Sequence, residues 1–197
     1  FLDSDDMLSD LTLELLYYRA KSIDLEDLFF SAVSFQDDDC ATENYLKYMD
    51  YYKRKADYPG VWKGTALFTA FVENNEFRPS ACLQLLKRSF LIKNGISFFE
   101  GILHEDNLFT MQCLLKAERC AFLNLELYFR RLHEHSIMTR SKTMYHVYGY
   151  YISMAEMLKT LRLCDTDTDK AYAAALEKQF HIMMDITINT LRGFSRE

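Results

Sequence analysis

Apolar positions along the chain change period several times, and each change predicts an element. Phe1-Leu2 reads as the last step of a buried strand, followed by a polar, mostly acidic segment. Leu8, Leu11, Leu15 and Leu16 then recur at the 3.6-residue period and predict a helix, with Asp6 or Ser9 as its cap. The run from Phe29 to Phe35 is rich in β-formers and predicts a strand, and Gln36 to Thr42 is an acidic loop. Tyr45 to Lys55 is aromatic and basic and predicts a helix, ending near the turn signal Tyr58-Pro59-Gly60. Val61 to Glu73 predicts another. Pro79-Ser80 opens a further helix in which Leu83, Leu86 and Phe90 share a face and Asn94-Gly95 is the stop. A short β-like piece, Ile96 to Phe99, leads to His104-Glu105-Asp106 and a helix carrying Leu108, Met111 and Leu115. Cys120 to Tyr128 alternates apolar and polar residues and predicts a strand. Arg130 to Arg140 reads as polar and irregular, and from Thr143 the period is helical to the end except for a break at Cys164 to Asp169. The sum is a mixed α/β arrangement with a helical tail.

With 197 residues, the chain is long enough for one core. Hydrophobic residues make up 49% and charged residues 26%, with only two prolines, which excludes a disordered linker. The 13 tyrosines and 15 phenylalanines fit either a core with an aromatic rim or a surface that stacks on sugars or bases. A net charge of −6, with basic residues scattered in short clusters, argues against a nucleic-acid partner, which calls for a basic stripe. Five cysteines, an odd number without a CxxC pair, read as reduced thiols and point to a cytoplasmic compartment. No apolar run is long enough to span a bilayer and no signal peptide is visible.

Asp3-Ser4-Asp5-Asp6 sits at a predicted strand end, the edge where open α/β sheets place ligands. Carboxylates crowded there repel unless a cation joins them, and hard cations such as Mg2+ or Mn2+ take oxygen ligands. The plainer reading is a strand-to-helix loop with Asp as the helix cap. His104-Glu105-Asp106 divides the same way, into a capping cluster at a helix start or a positioned general base. Asp165 to Asp169 imitates the opening of a calcium loop, but Lys170 and Leu176 stand where glycine and glutamate are required, which leaves a helix connection capped by Thr168 or Asp169. There is no P-loop, HExxH or GxSxG motif.

Read in order, these blocks resemble the acceptor-side part of family-2 glycosyltransferases of the GT-A fold. Phe1 to Asp6 is similar to that family's strand-end DXD segment, Leu86-Lys87-Arg88-Ser89-Phe90-Leu91 to a helix of the family, and Asn94 to Asp106 to its Gly-Ile-x-His-Glu-Asp run. Tyr128, Arg131 and Ser136 to Thr139 resemble the segment after the next strand. The resemblance covers residues 1–140. Arg130 stands where the family has tyrosine, and His133 takes a second basic position.

The resemblance implies residues 1–140 as the C-terminal half of a GT-A catalytic domain and 141–197 as a C-terminal helical segment. It implies an inverting, metal-dependent transferase that moves a sugar from a nucleotide-sugar donor to a glycan or lipid-linked acceptor in cell-surface polysaccharide biosynthesis. Mn2+ or Mg2+ falls to Asp5 and Asp3, donor contacts to Asp3, Asp6, Arg131 and His133, the catalytic base to Asp106, and acceptor orientation to His104 and Glu105. Tyr45, Tyr48 and Trp62 are candidates for stacking on acceptor sugars, or for ordinary packing. The family's nucleoside-binding units precede its DXD motif, so residues 1–197 alone are expected to be inactive, built on half a sheet or paired with another copy. Peripheral association with the inner face of the membrane and a homo-oligomer both fit. The alternative is a catalytically incomplete, transferase-like binding or assembly module. A nucleotidyl- or phosphotransferase using the acidic cluster ranks last, for want of a P-loop or Gly-rich phosphate motif.

Overall fold

The structure is a computed structural model that describes residues 1–36, 42–133, 141–163 and 169–194. It is a mixed α/β fold: a curled four-stranded sheet flanked by seven α-helices among the described residues. Strand β1 (Met7–Leu8) precedes α1 (Thr12–Ser22), β2 (Asp27–Gln36), α2 (Thr42–Tyr48) and α3 (Gly64–Glu73). A 3-10 turn, Ala81–Leu83, runs into β3 (Gln84–Leu86), α4 (Arg88–Asn94), α5 (Glu105–Lys116) and β4 (Cys120–Leu132). Helices α6 (Met144–Leu163) and α7 (Lys170–Phe194) follow. Strand order is β1-β4-β2-β3, with β2 and β4 parallel at the centre and the short outer strands antiparallel to them.

β2 is buried over Asp27 to Ala32, the continuous run expected of a strand covered on both faces. Its side chains alternate between two cores, as the two-residue period requires. Phe29 points into a large cluster with Phe68, Phe71, Phe109, Leu114 and Phe122, which Met157, Leu176 and Met183 of α6 and α7 also enter. Leu28 and Phe30 point the other way, toward Leu16, Leu83, Ala121 and Tyr128. The β2–β4 register slips at Ser31, so that Phe30 faces Leu123 while Ser31 faces Glu126. Such bulges bend a strand and increase its twist.

Several expectations are corrected. Phe1 and Leu2 form no strand step; they are 64% and 52% exposed, and Phe1 lays its ring edge-on to Phe98 and Phe109. Of the leucine stripe only Leu16 is core, because Leu8 belongs to β1 and the left-handed Leu11 precedes the helix as its cap residue. Asp6 does not cap α1, and Ser9 caps no backbone N–H, its hydroxyl pairing with the Thr12 hydroxyl at 2.6 Å. The helix predicted from Pro79 to Asn94 is split. Residues 84–86 pair instead with Asp27–Phe29 of β2, as the strand at that edge of the sheet. Helix α4 does stop at Gly95, where φ of 60° suits glycine. Tyr45 to Lys55 is helical only as far as Tyr48, and Ile96 to Phe99 forms no strand. Arg130 to Leu132 continue β4, whereas 134–140 and the break at 164–168 lie outside the described residues. Asp169 accepts from the Tyr172 N–H at 3.2 Å, as a helix cap should.

Asp27 opens β2 fully buried, with neither carboxylate oxygen hydrogen-bonded. Burial holds its pKa well above the ordinary 3.8. A raised folded-state pKa means stability that is complete below the unfolded value and lost as pH climbs toward the folded one, by up to about 1.4 kcal/mol per pH unit. We therefore expect Asp27→Asn to match the native protein near pH 4 and to exceed it progressively toward pH 8 in urea titrations. Parallel stability curves across that range would show Asp27 to be solvated.

Candidate functional site

The acidic segment at the chain start lies against the far end of β4. Ser4-Asp5 forms a turn, closed by Asp6 N–H donating to the Asp3 carbonyl at 3.3 Å. Asp6 uses both oxygens to fasten this turn: one accepts the Tyr128 hydroxyl at 2.6 Å, the other the Arg131 backbone N–H at 2.7 Å. Burial raises the Asp6 pKa, the two hydrogen bonds pull it back, and the neighbouring Asp5 and Asp3 charges push it up again. Burial and the Asp6 bond also raise the Tyr128 hydroxyl, so it stays a donor at neutral pH. With Asp6 spent on the fold, Asp3 and Asp5 carry the exposed carboxylates of the turn. Asp5 reaches the His133 imidazole at 3.3 Å, and the Arg131 side chain lies exposed beside it in sequence. The strand end thus brings together Asp3, Asp5, Asp6, Arg131 and His133.

Asp106 comes from a different direction. Helix α5 begins at Glu105, after His104, which takes a left-handed conformation at φ 63° and makes no side-chain cap. Asp106 is therefore in the first turn and does not cap the helix. Its Oδ1 accepts the Ala81 N–H at 2.9 Å, from the 3-10 turn, and among the described residues no hydrogen bond engages Oδ2. Burial is the largest influence on this half-buried carboxyl and, with the charges of Glu105 and Asp3, outweighs the Ala81 bond, pushing its pKa up to about 6. Asp3 and Asp106 thus lie within electrostatic reach of each other, and both act on Cys82, whose thiol is raised to about 11, chiefly by burial.

His104 is turned away from these groups. It stacks on Tyr150 of α6, with centroids 4.3 Å apart, and tilts against His146 at 5.3 Å. Burial drives its pKa down to about 4, so it is neutral at physiological pH. Its carbonyl accepts from both the Asn107 N–H and the Asn107 side-chain amide, at 3.1 and 3.0 Å. Helix α6 presses on this corner through Gly149, where a Cβ would stand 2.0 Å from the Leu103 carbonyl oxygen. The corner of the helix start is thereby fixed from outside, and with it the direction of Asp106. Glu105 is half-buried beside it. Trp62 donates to the Pro59 carbonyl and bridges to Cys120 through its backbone, and Tyr48 packs edge-on to Tyr51.

Among the described residues no three His, Cys, Asp or Glu side chains converge as a metal-holding group. A Mg2+-type site typically takes one or two protein carboxylates and completes its shell with substrate phosphate and water. Asp3 and Asp5 are a donor set of that kind. Cys82, Cys113 and Cys120 carry free thiols, and no helix among the described residues is long and apolar enough to cross a membrane.

Sequence reasoning passed over the groups that hold this site. Ala81 acts through its backbone, which no residue pattern reveals. Gln84 and Thr110 lay inside segments read as apolar helix faces. Arg54, one of a short basic cluster in the sequence, is 2% exposed and donates to the carbonyls of Glu76, Phe30 and Arg78 at 3.2 to 3.3 Å.

The mixed α/β fold is shared, in part, with solved structures. Its structural neighbours include TarS of S. aureus. TarS 1-349 in complex with UDP-GlcNAc superposes with a TM-score of 0.61 at 19% identity, over 92% of this chain and 48% of that one. TarS 1-349 in complex with UDP gives 0.57 at 18%, over 92% and 46%. The longer TarS structure gives 0.56 at 18%, over 91% and 28%. The chain thus spans about half the length of the TarS 1-349 structures, and identity at this level speaks for the fold alone. No protein-family model and no curated protein sequence matches the chain.

Proposed function

We propose that this chain is the acceptor-side part of a nucleotide-sugar-dependent glycosyltransferase of family-2 type, inverting and metal-dependent, acting on a glycan or lipid-linked acceptor in cell-surface polysaccharide synthesis at the cytoplasmic face of the membrane. The observation that carries it is Asp106. Its carboxyl has one oxygen fixed by Ala81 and the other without a hydrogen bond among the described residues, within electrostatic reach of an acidic turn, on a fold shared with a protein bound to UDP-GlcNAc.

In this reading Asp106 Oδ2 takes the acceptor hydroxyl proton as that oxygen forms its bond to the anomeric carbon. The bond from that carbon to the diphosphate oxygen breaks, and the electron pair leaves with the diphosphate. Asp3 and Asp5 are the residues that would hold Mn2+ or Mg2+, and the ion, when bound, supplies Lewis-acid neutralisation of the leaving group. Asp6 keeps the turn in place, Arg131 and His133 face the diphosphate, and Glu105 flanks the acceptor. His104 acts on orientation alone, by setting the corner from which α5 departs. Residues 1–197 by themselves are proposed to bind donor weakly, since they span 48% of the UDP-GlcNAc-bound neighbour.

The test is calorimetry of a nucleoside diphosphate with Mn2+ on the intact protein. Asp5→Asn removes one charge that faces the cation, and we expect binding weaker by about tenfold or more, at or above the effect of losing an outer-shell partner. The same titration in EDTA should show the two proteins alike. Unchanged affinity in the variant would place the metal elsewhere.

A further inference from the structure

The turn that carries the Ala81 N–H is itself tied down close to Asp106. Ser80 O accepts one hydrogen of the Gln84 side-chain amide at 3.0 Å, and Thr110 Oγ1 accepts the other at 2.9 Å. Ser80 Oγ accepts the Cys82 N–H at 3.2 Å, which shapes the turn between them. Thr110 stands four residues after Asp106, on the same face of α5. Gln84 and Thr110 are 4% and 1% exposed, so no water competes for this bond. The turn and the helix therefore meet at two levels one helical turn apart, through the Ala81–Asp106 bond above and the Gln84–Thr110 bond below.

We propose that Gln84 and Thr110 are positioning residues: a buried clasp that holds the 80–83 turn against α5, so that Ala81 fixes Asp106 Oδ1 and leaves Oδ2 directed at the acceptor. This rests on the reading of Asp106 as the base. Neither residue touches substrate; both act through the direction of one carboxylate. A general base works only within hydrogen-bond reach of its proton, and a carboxylate free to rotate spends part of its time misaimed. Thr110→Val keeps the shape of the side chain and removes the acceptor. Thr110→Ser keeps the acceptor. Gln84→Met removes both amide hydrogens at similar length.

The experiment measures transfer by the intact protein for these three variants, alone and combined with Asp106→Asn. Thr110→Val and Gln84→Met should each lower kcat by about tenfold with donor KM unchanged, and Thr110→Ser should restore it. In the Asp106→Asn background neither should lower the residual rate further, because there is no base left to aim. A second readout needs no turnover: Ala81 amide hydrogen exchange should speed up in Thr110→Val and not in Thr110→Ser. Full kcat and native Ala81 protection in Thr110→Val would overturn the clasp. So would an equal rate loss with and without Asp106, which marks a general loosening of the fold. Failure of the base assignment is separate, since it appears as normal transfer by Asp106→Asn alone.

Discussion

Asp106→Asn should lose about 10²–10⁴-fold in transfer to acceptor, while melting temperature and donor affinity hold. The asparagine oxygen can still accept the Ala81 N–H that Oδ1 now takes at 2.9 Å, so the turn keeps its partner. Stability should not fall. Burial raises the Asp106 pKa to about 6, so its contribution is complete below the unfolded value of 3.8 and is lost between there and 6. The amide carries no such penalty at neutral pH. The same elevated pKa predicts an acid limb in the native kcat/KM profile, with activity falling below about pH 6 as the base becomes protonated. A helix cap is excluded as the explanation of any loss, because the cap residue of α5 is His104. Near-normal turnover in Asp106→Asn would make the residue structural, and Glu105 would be the carboxylate to test next.

The largest effect on stability is expected at Arg54. Its guanidinium is buried between the Phe71 and Phe122 rings, 4.5 and 5.3 Å from their centroids, and gives its hydrogens to three carbonyls on two segments. Burial lowers its pKa to about 10, which leaves it charged at neutral pH. The Glu76 carboxylate nearby accepts the Lys55 N–H at 2.6 Å and the Tyr58 hydroxyl at 2.7 Å, closing the network. Arg54→Met would strand those carbonyls and leave the Glu76 charge without its electrostatic counterpart, at about 3–5 kcal/mol. For a domain of this size that corresponds to a fall of about 6–20 °C in Tm. Arg54→Lys should recover little, since an ammonium cannot fork to three separated acceptors. Calorimetric melting within 2 °C of the native protein would show that the network contributes nothing. The consequence reaches the site, because residues 76–78 lead directly into the turn that holds Asp106.

Of the two central strands, β2 was legible because burial enforces its apolar run, whereas the alternation in β4 marked a strand without marking its buried side, since Leu125 is 44% exposed. Phe29 to Phe35 is nearly all apolar and lies inside β2, and the alternation from Cys120 is β4. The helix from Leu108 to Leu115 was equally clear. The split between 79 and 94 was not, since Leu83, Leu86 and Phe90 also satisfy a helical period, and only the open edge of β2 decides for a strand. Leu11 and Leu15 misled in the opposite way: they are 74% and 43% exposed, so their spacing matched a helix without marking its core face. In the site, the acidic turn and Asp106 stood out as chemistry-bearing residues at element boundaries. What sequence could not assign was the division of labour. Asp6 looked like Asp3 and Asp5 until its two oxygens were found on Tyr128 and Arg131, and His104 looked like an acceptor contact until its ring was found under Tyr150.

Use of a nucleotide sugar by this proposed transferase is open to a turnover screen of the intact protein. A panel of nucleotide sugars would be incubated with and without Mn2+, following diphosphate release in native protein and in Asp106→Asn. Release is expected from one donor class, dependent on the metal, and suppressed in Asp106→Asn once acceptor is supplied. A panel in which no nucleotide sugar is bound or consumed under either condition would contradict it.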